Sequence, residues 1–245
     1  MLRTVLLILF LSVMLSASLS QAQDDSLAVE APPLSFKPAL QSLVVPGWGQ
    51  ISQGEWPRGL VYFGGQAFLA ADAFYYWEEQ YGPQRDNPER DFYRNLSYGL
   101  AAWYGLGVAF NVLDVIYYQK PVIPGSATSA VFQSMVFPGW GQLANGQHWK
   151  AGAMFLLQTS LGYSMYYQHQ NYVYYKSIED DRAGFFKDQR NRLIWWSAFA
   201  MIFSATDAYV DAHLREWDVS DDLSLAPTFF DQYQTMGIRL TLSLP

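Results

Sequence analysis

The stretch QSLVVPGWGQISQG, Gln41–Gly54, returns as QSMVFPGWGQLANG, Gln133–Gly146. The two align without a gap at a spacing of 92 residues, and the register continues, with Arg58 opposite Lys150 and Gln66 opposite Gln158. No other feature restricts the fold as much, because self-similarity at a fixed period marks a chain made by stacking one supersecondary unit. Each copy of PGWGQ stands just before a long apolar segment, so the repeating unit is read as a turn followed by two helices.

Four such segments follow the first motif: Gly59–Trp77, Ser97–Tyr118, Ala151–Tyr167 and Leu193–Leu214. A helix needs about 20 residues to cross about 30 Å of hydrocarbon, and each segment is near that length. None alternates strictly, which argues against strands, and apolar residues surround the helix rather than forming one stripe. The competing reading is a soluble, buried four-helix bundle. The sequence is therefore expected to give an all-α membrane protein: four transmembrane helices as two tandem PGWGQ-led hairpins. A short β-hairpin is expected at the end, where Ile238–Leu244 alternates apolar and polar residues and Leu223–Phe229 supplies a partner.

The first residues set the compartment. Arg3, an apolar run from Val5 to Leu15 and the small-x-small triplet Ser20-Gln21-Ala22 read as a secretory leader cut after Ala22. The expected organisation is a leader over 1–22, an external linker over 23–37, one two-helix unit over 38–120, a second over 121–214 and an external strand-rich tail over 215–245. Cysteine is absent, which excludes disulfides, thiol catalysis and cysteine metal sites. Aromatic residues make up 17% and charged residues only 15%, against an average of about 25% charged in globular domains. Low charge with many Trp and Tyr suits a bilayer with wet ends. The formal charge of -7 carries no basic run, so a nucleic-acid partner is not expected.

Positive residues favour the cytoplasmic side. Arg85, Arg90 and Arg94 lie between the first two segments, and Lys176, Arg182, Lys187, Arg190 and Arg192 lie between the last two. Both long loops are thus placed inside and both termini outside, in the inner membrane, where spans are helical.

The motif itself has a physical grammar. Pro46 and Pro138 discourage helix in the residue before them, and Gly47, Gly49, Gly139 and Gly141 allow a tight turn. Trp48 and Trp140 suit a headgroup boundary. Gln50 and Gln142 close the motif. Arg58 or Lys150 then stands where the helix meets lipid phosphate.

Carboxylates within apolar segments are costly unless paired or wet. The expected topology puts Asp114, Asp207 and Asp211 on the same side as the motifs, with Gln66 and Gln158 about 10 Å deep at 1.5 Å per residue. Asp207 and Asp211 share a helix face, as do Asn111 and Asp114. Three uses are open: pairing with Arg58 and Lys150, a cation site from Asp207, Asp211 and His213, or ion movement through the bundle. His148 and His169 read as interface residues. Phosphate loops, nucleophile elbows and zinc-protease motifs are missing, so nothing argues for an enzyme, and neither a cofactor nor a metal is expected.

PGWGQ with a following Gly and a Lys or Arg is similar to a widespread two-helix membrane domain. Asp207–Leu225, DAYVDAHLREWDVSDDLSL, resembles the C-terminal signature of a bacterial membrane-protein family of unknown function. The resemblance implies a fold and a location but no reaction. The expected function is a non-enzymatic scaffold or assembly protein of the cell envelope, touching lipid and, through its tail, another envelope protein. The alternative is an ion or small-solute transporter, or a metal-dependent membrane enzyme, using Asp114, Asp207 and Asp211.

Overall fold

Proline or glycine stands at the start of six of the eight helices found among the described residues. A computed structural model describes residues 35–83, 86–119 and 126–217, together with the backbone of 223–230 and 235–242. The expected leader and nearly all of the expected linker lie outside the described residues. Eight helices are found among them: α1 (Lys37–Val44), α2 (Trp48–Ser52), α3 (Trp56–Glu79), α4 (Asn87–Tyr118), α5 (Ala127–Val136), α6 (Trp140–Ala144), α7 (His148–Ser177) and α8 (Arg182–Trp217). Two strands follow, β1 (Leu223–Phe230) and β2 (Thr235–Leu242), paired antiparallel with Leu223 opposite Leu242 and Phe230 opposite Thr235.

The order short, very short, long, long occurs twice. Each short helix stops at the valine or phenylalanine before a proline. Gly47 and Gly139 then take positive φ, 88° and 80°, and start the five-residue helices. Gly54 and Gly146, at φ 90° and 75°, turn the chain into the first long helix. A side chain at Gly47 would strike the carbonyl of Gly59, and one at Gly139 would strike that of Ala151. Gly49 and Gly141 are helical and serve close approach instead. A Cβ there would meet the Ser42 or Ser134 hydroxyl and the Pro38 or Ala130 carbonyl. Asp86 caps α4 by accepting from Glu89 N–H at 3.0 Å, with Pro88 in the first turn, where a missing N–H costs nothing. At the turn into α8, Asp180 accepts from the Arg182 backbone and guanidinium, and these bonds lower its carboxyl to about 2.

The long helices form the body. α4 lies against α3 on one side and α7 on the other, and α8 lies against α7. α1 rests on α4 as α5 rests on α8. The joint between the halves is aromatic: Phe110 of α4 stacks on Phe155 of α7 at 4.3 Å, with Phe137, Tyr62, Leu143 and Ala151 around it. At the far end, Tyr166 donates to the Asn95 carbonyl at 2.6 Å and Asn95 donates to Gln170 at 3.0 Å.

The outer surface is apolar to a degree that water-soluble chains rarely show. On α8, Trp195, Trp196, Phe199, Ile202 and Phe203 are each between 58% and 71% exposed, and Leu60, Phe63 and Phe74 of α3 are exposed as well.

The expectation of four membrane-crossing helices is corrected. Among the described residues only two helices are both long and apolar enough to cross a membrane: α4 and the Arg182–Leu214 part of α8. α3 and α7 are long enough, but polar residues break their apolarity. α7 carries Gln158, Gln168, His169, Gln170 and Asn171, and both helices take much of their apolar surface from Tyr and Trp, whose tips are polar. Of the most apolar stretches of these two helices, 33% and 22% are buried.

Candidate functional site

The motif ends of the helices meet at one end of the bundle, and there the polar residues converge in two clusters. The first is closed. Asp114, wholly buried near the end of α4, receives Arg58 Nη2 at 2.9 Å and Gln50 Nε2 at 2.9 Å on one carboxylate oxygen. His148 Nδ1 lies 2.7 Å from the other oxygen. Gln50 also donates to the Asn111 carbonyl at 3.2 Å, and its own oxygen accepts from Ser42 at 3.1 Å. Ser42 in turn accepts from Gly49 N–H at 2.9 Å. The Arg58 guanidinium sits 4.5 Å from the centre of the Tyr118 ring, whose hydroxyl donates to Glu55 at 2.6 Å.

The second cluster repeats this wiring 92 or 93 residues on. Gln142 Nε2 donates to the Ser204 carbonyl at 2.8 Å and to Asp207 at 3.1 Å, while Ser134 donates to Gln142 at 3.2 Å. Lys150 takes the place of Arg58, 2.6 Å from Asp207 and 2.8 Å from Asp211. Gln53 donates to the Val115 carbonyl at 3.2 Å, and Asn145 donates to that of Ala208 at 2.8 Å. The physical reason is the same in both. A Gln one turn past the positive-φ glycine points back into the fold, and it ties the motif to the last turns of the second long helix.

The structure therefore gathers Arg58, Asn111 and Asp114 with the Gln50 of the motif, and Lys150, Asp207 and Asp211 with Gln142. Gln66 and Gln158 stand outside both clusters. Gln66 fills the space over Gly107, and Gln158 borders the groove between α4 and α7 with Trp103 and Tyr163. Arg58 does not reach lipid phosphate, being only 2% exposed. Trp48 is 46% exposed, whereas the Trp140 indole donates inward to Tyr117 at 2.8 Å. His213 is exposed and stacks on Tyr209 at 5.0 Å, away from the Asp207–Asp211 pair. Among the described residues no three His, Asp or Glu side chains are placed to hold a metal ion.

Five contributors are not legible as such in the sequence reading. His148 is buried and bonded to Asp114 rather than set at an interface, because the second half packs onto the end of α4. Tyr118 and Glu55 close the first cluster from outside. Ser42 and Ser134 were open to discovery, since both precede their motifs in the aligned QS pair.

The fold and clusters define a class: a chain of helical hairpins with much apolar surface outward and its buried charge neutralised internally. A sequence model described as a family of unknown function (DUF5683) matches residues 124–182 and 177–244. The matched part begins just before α5 and takes in the second motif, α7, α8 and the strands. No curated protein and no solved structure matches the chain.

Proposed function

We propose that this chain is a membrane-embedded, non-enzymatic structural protein of the bacterial cell envelope, a scaffold or assembly factor brought there by the leader at 1–22. One observation carries the reading. The costly carboxylates are used up by fixed internal partners, while the longest apolar helices turn most of their surface outward. Asp114 has an arginine, a glutamine and a histidine around it, which is the arrangement of a counter-ion and not of a carrier with a vacant ligand. Among the described residues the strands Leu223–Phe230 and Thr235–Leu242 pair only with each other, and a lone hairpin is marginal in water, so we read them as a surface for a protein partner.

A second reading, an ion or small-solute transporter or a metal-dependent membrane enzyme, draws on one specific observation. The Lys150 side chain is 35% exposed and those of Asp207 and Asp211 16% and 18%, so that cluster is open at the surface.

The test is alkaline extraction of cell membranes followed by native mass spectrometry of the detergent-solubilised chain. The scaffold reading expects the chain to stay in the membrane pellet and to carry lipid alone or lipid with a co-extracted protein. Release into the alkaline supernatant would remove the membrane assignment. A stoichiometric metal or solute that disappears in Asp207→Asn would replace the scaffold reading with the second.

A further inference from the structure

The joint between the two halves is a contact between two defined faces. The receiving face is α4, with Phe110, Leu113 and Tyr117 around the Asp114 carboxylate. The entering face belongs to the second motif and α7: Phe137, Leu143, Ala151 and Phe155, with His148 reaching Asp114 at 2.7 Å. Phe110, Leu143, Ala151 and Phe155 are between 0% and 6% exposed there.

Each face exists a second time, with Gly59 buried under Ile51 and the larger side chains exposed. The residues 92 before the entering face are Val45, Ile51, Gly59 and Phe63, with Trp56 in the place of His148. Val45, Ile51, Trp56 and Phe63 are 37%, 44%, 63% and 51% exposed. The residues 93 after the receiving face are Phe203, Thr206 and Val210 around Asp207, and Phe203 and Val210 are 58% and 43% exposed.

We infer that a second copy of this chain docks its first-half entering face onto the α8 receiving face, repeating between molecules the joint that holds the two halves of one molecule together. This rests on the membrane-embedded structural reading above. Two independent observations select a second copy as the occupant. The internal joint shows that surfaces of this design fit one another, with Phe203 against Phe63 where Phe110 stacks on Phe155. The polar part also has room for a donor, since the Asp207 side chain is 16% exposed and each of its oxygens can accept a bond beyond the one it has. Asp114 receives a ring N–H group from the other half, whereas the bonds of Asp207 come from Gln142 and Lys150 of its own half. Trp56 presents an indole N–H from the matching position. Acyl chains would cover the apolar residues, but they have no donor for the carboxylate. Because the two faces differ, the contact is head-to-tail and builds a ring or an open row rather than a two-fold dimer.

The chain contains no cysteine, so introduced thiols report on contact without background. The test uses the full chain in native membranes, carrying Phe63→Cys with Phe203→Cys, oxidised and then extracted. The expected result is a ladder of dimer, trimer and higher species. It should run roughly tenfold above the control pair Phe68→Cys with Met201→Cys, which lies on other faces, because docking raises the local thiol concentration. Membranes holding differently tagged Phe63→Cys and Phe203→Cys single variants should give a dimer bearing both tags. Equal ladders from the control pair, or dimers from either single variant alone, would overturn the inference. So would the absence of cross-links in chain that pellets with the membrane, and that outcome leaves the membrane reading standing. Chain found instead in the alkaline supernatant would remove the membrane reading, whatever the ladder shows.

Discussion

The Asp114 cluster and the Lys150 cluster are built on one plan and sit in opposite environments. Side chains of Arg58 and Asp114 are 3% and 0% exposed, against 35% for Lys150 and 16% for Asp207. The difference has one cause. The first cluster is roofed by the second half, which contributes His148, whereas among the described residues the second cluster has no such roof. Burial changes the energetics more than wiring does. A buried ion pair is destabilised strongly when one partner goes, because the remaining charge has no solvent, whereas an exposed pair is cushioned by water.

The largest effect should therefore come from Asp114→Asn. It keeps the shape and leaves the Arg58 charge buried beside an amide. A loss of about 3–5 kcal/mol is expected for an uncompensated buried charge. The measurement is the thermal midpoint of the detergent-solubilised chain, together with its accumulation in membranes. A midpoint shift no larger than that of Asp207→Asn would break the contrast between the clusters.

Next come the turn glycines, which the two halves share. Gly47→Ala and Gly139→Ala force an L side chain to positive φ against a backbone carbonyl, at a cost of about 1–3 kcal/mol for the φ strain alone. Gly139 has an additional neighbour, Phe110 Cε2, 3.1 Å from where the Cβ would be. Gly139→Ala should lower the thermal midpoint more than Gly47→Ala. The reverse order would mean that the joint between the halves yields more easily than the packing at Phe110 implies.

Lys150→Met is expected to cost about 1 kcal/mol or less, since half-exposed pairs contribute little. Its effect should shrink as salt rises toward and beyond 0.15 M, where charges are screened over about 8 Å, while the effect of Asp114→Asn should stay constant. Unfolding at several salt concentrations separates the two. A Lys150→Met effect that ignores salt would show that the second cluster is as dry as the first, which the self-docking arrangement would produce in a concentrated membrane sample.

Much of this was legible in the sequence, and the limits have physical causes. The 92-residue register placed Arg58 with Lys150 and Gln50 with Gln142 before any coordinates, because equivalent positions of a repeated unit meet equivalent neighbours. The alternating direction of successive helices put Asp114 and Asp207 at the motif end. His148 was not legible, since its bond to Asp114 depends on how one half sits on the other, and the register pairs it with Trp56. Four segments have the length of a membrane span, but two of them owe much of that length to Tyr, Trp and Gly. Those residues lengthen a helix without making it as apolar as Leu or Ile would.

The smallest effect is predicted at Asn111, where the halves diverge most quietly. Its counterpart is Ser204, whose hydroxyl is 3.3 Å from Gln142 Nε2 and whose carbonyl takes the main bond. Asn111 supplies only its carbonyl to Gln50. Its side-chain oxygen and nitrogen are buried and have no hydrogen-bond partner among the described residues. A buried amide without partners costs about 1–3 kcal/mol of desolvation, so removing it returns that energy minus the cost of the space left behind. Asn111→Ser copies the second half into the first. It should leave the thermal midpoint unchanged or raise it, within about 1 kcal/mol, the net worth of one hydrogen bond. A clear loss would mean that the Asn111 amide holds the Asp114 cluster in shape, and the two halves would then differ in their wiring as well as in their roof.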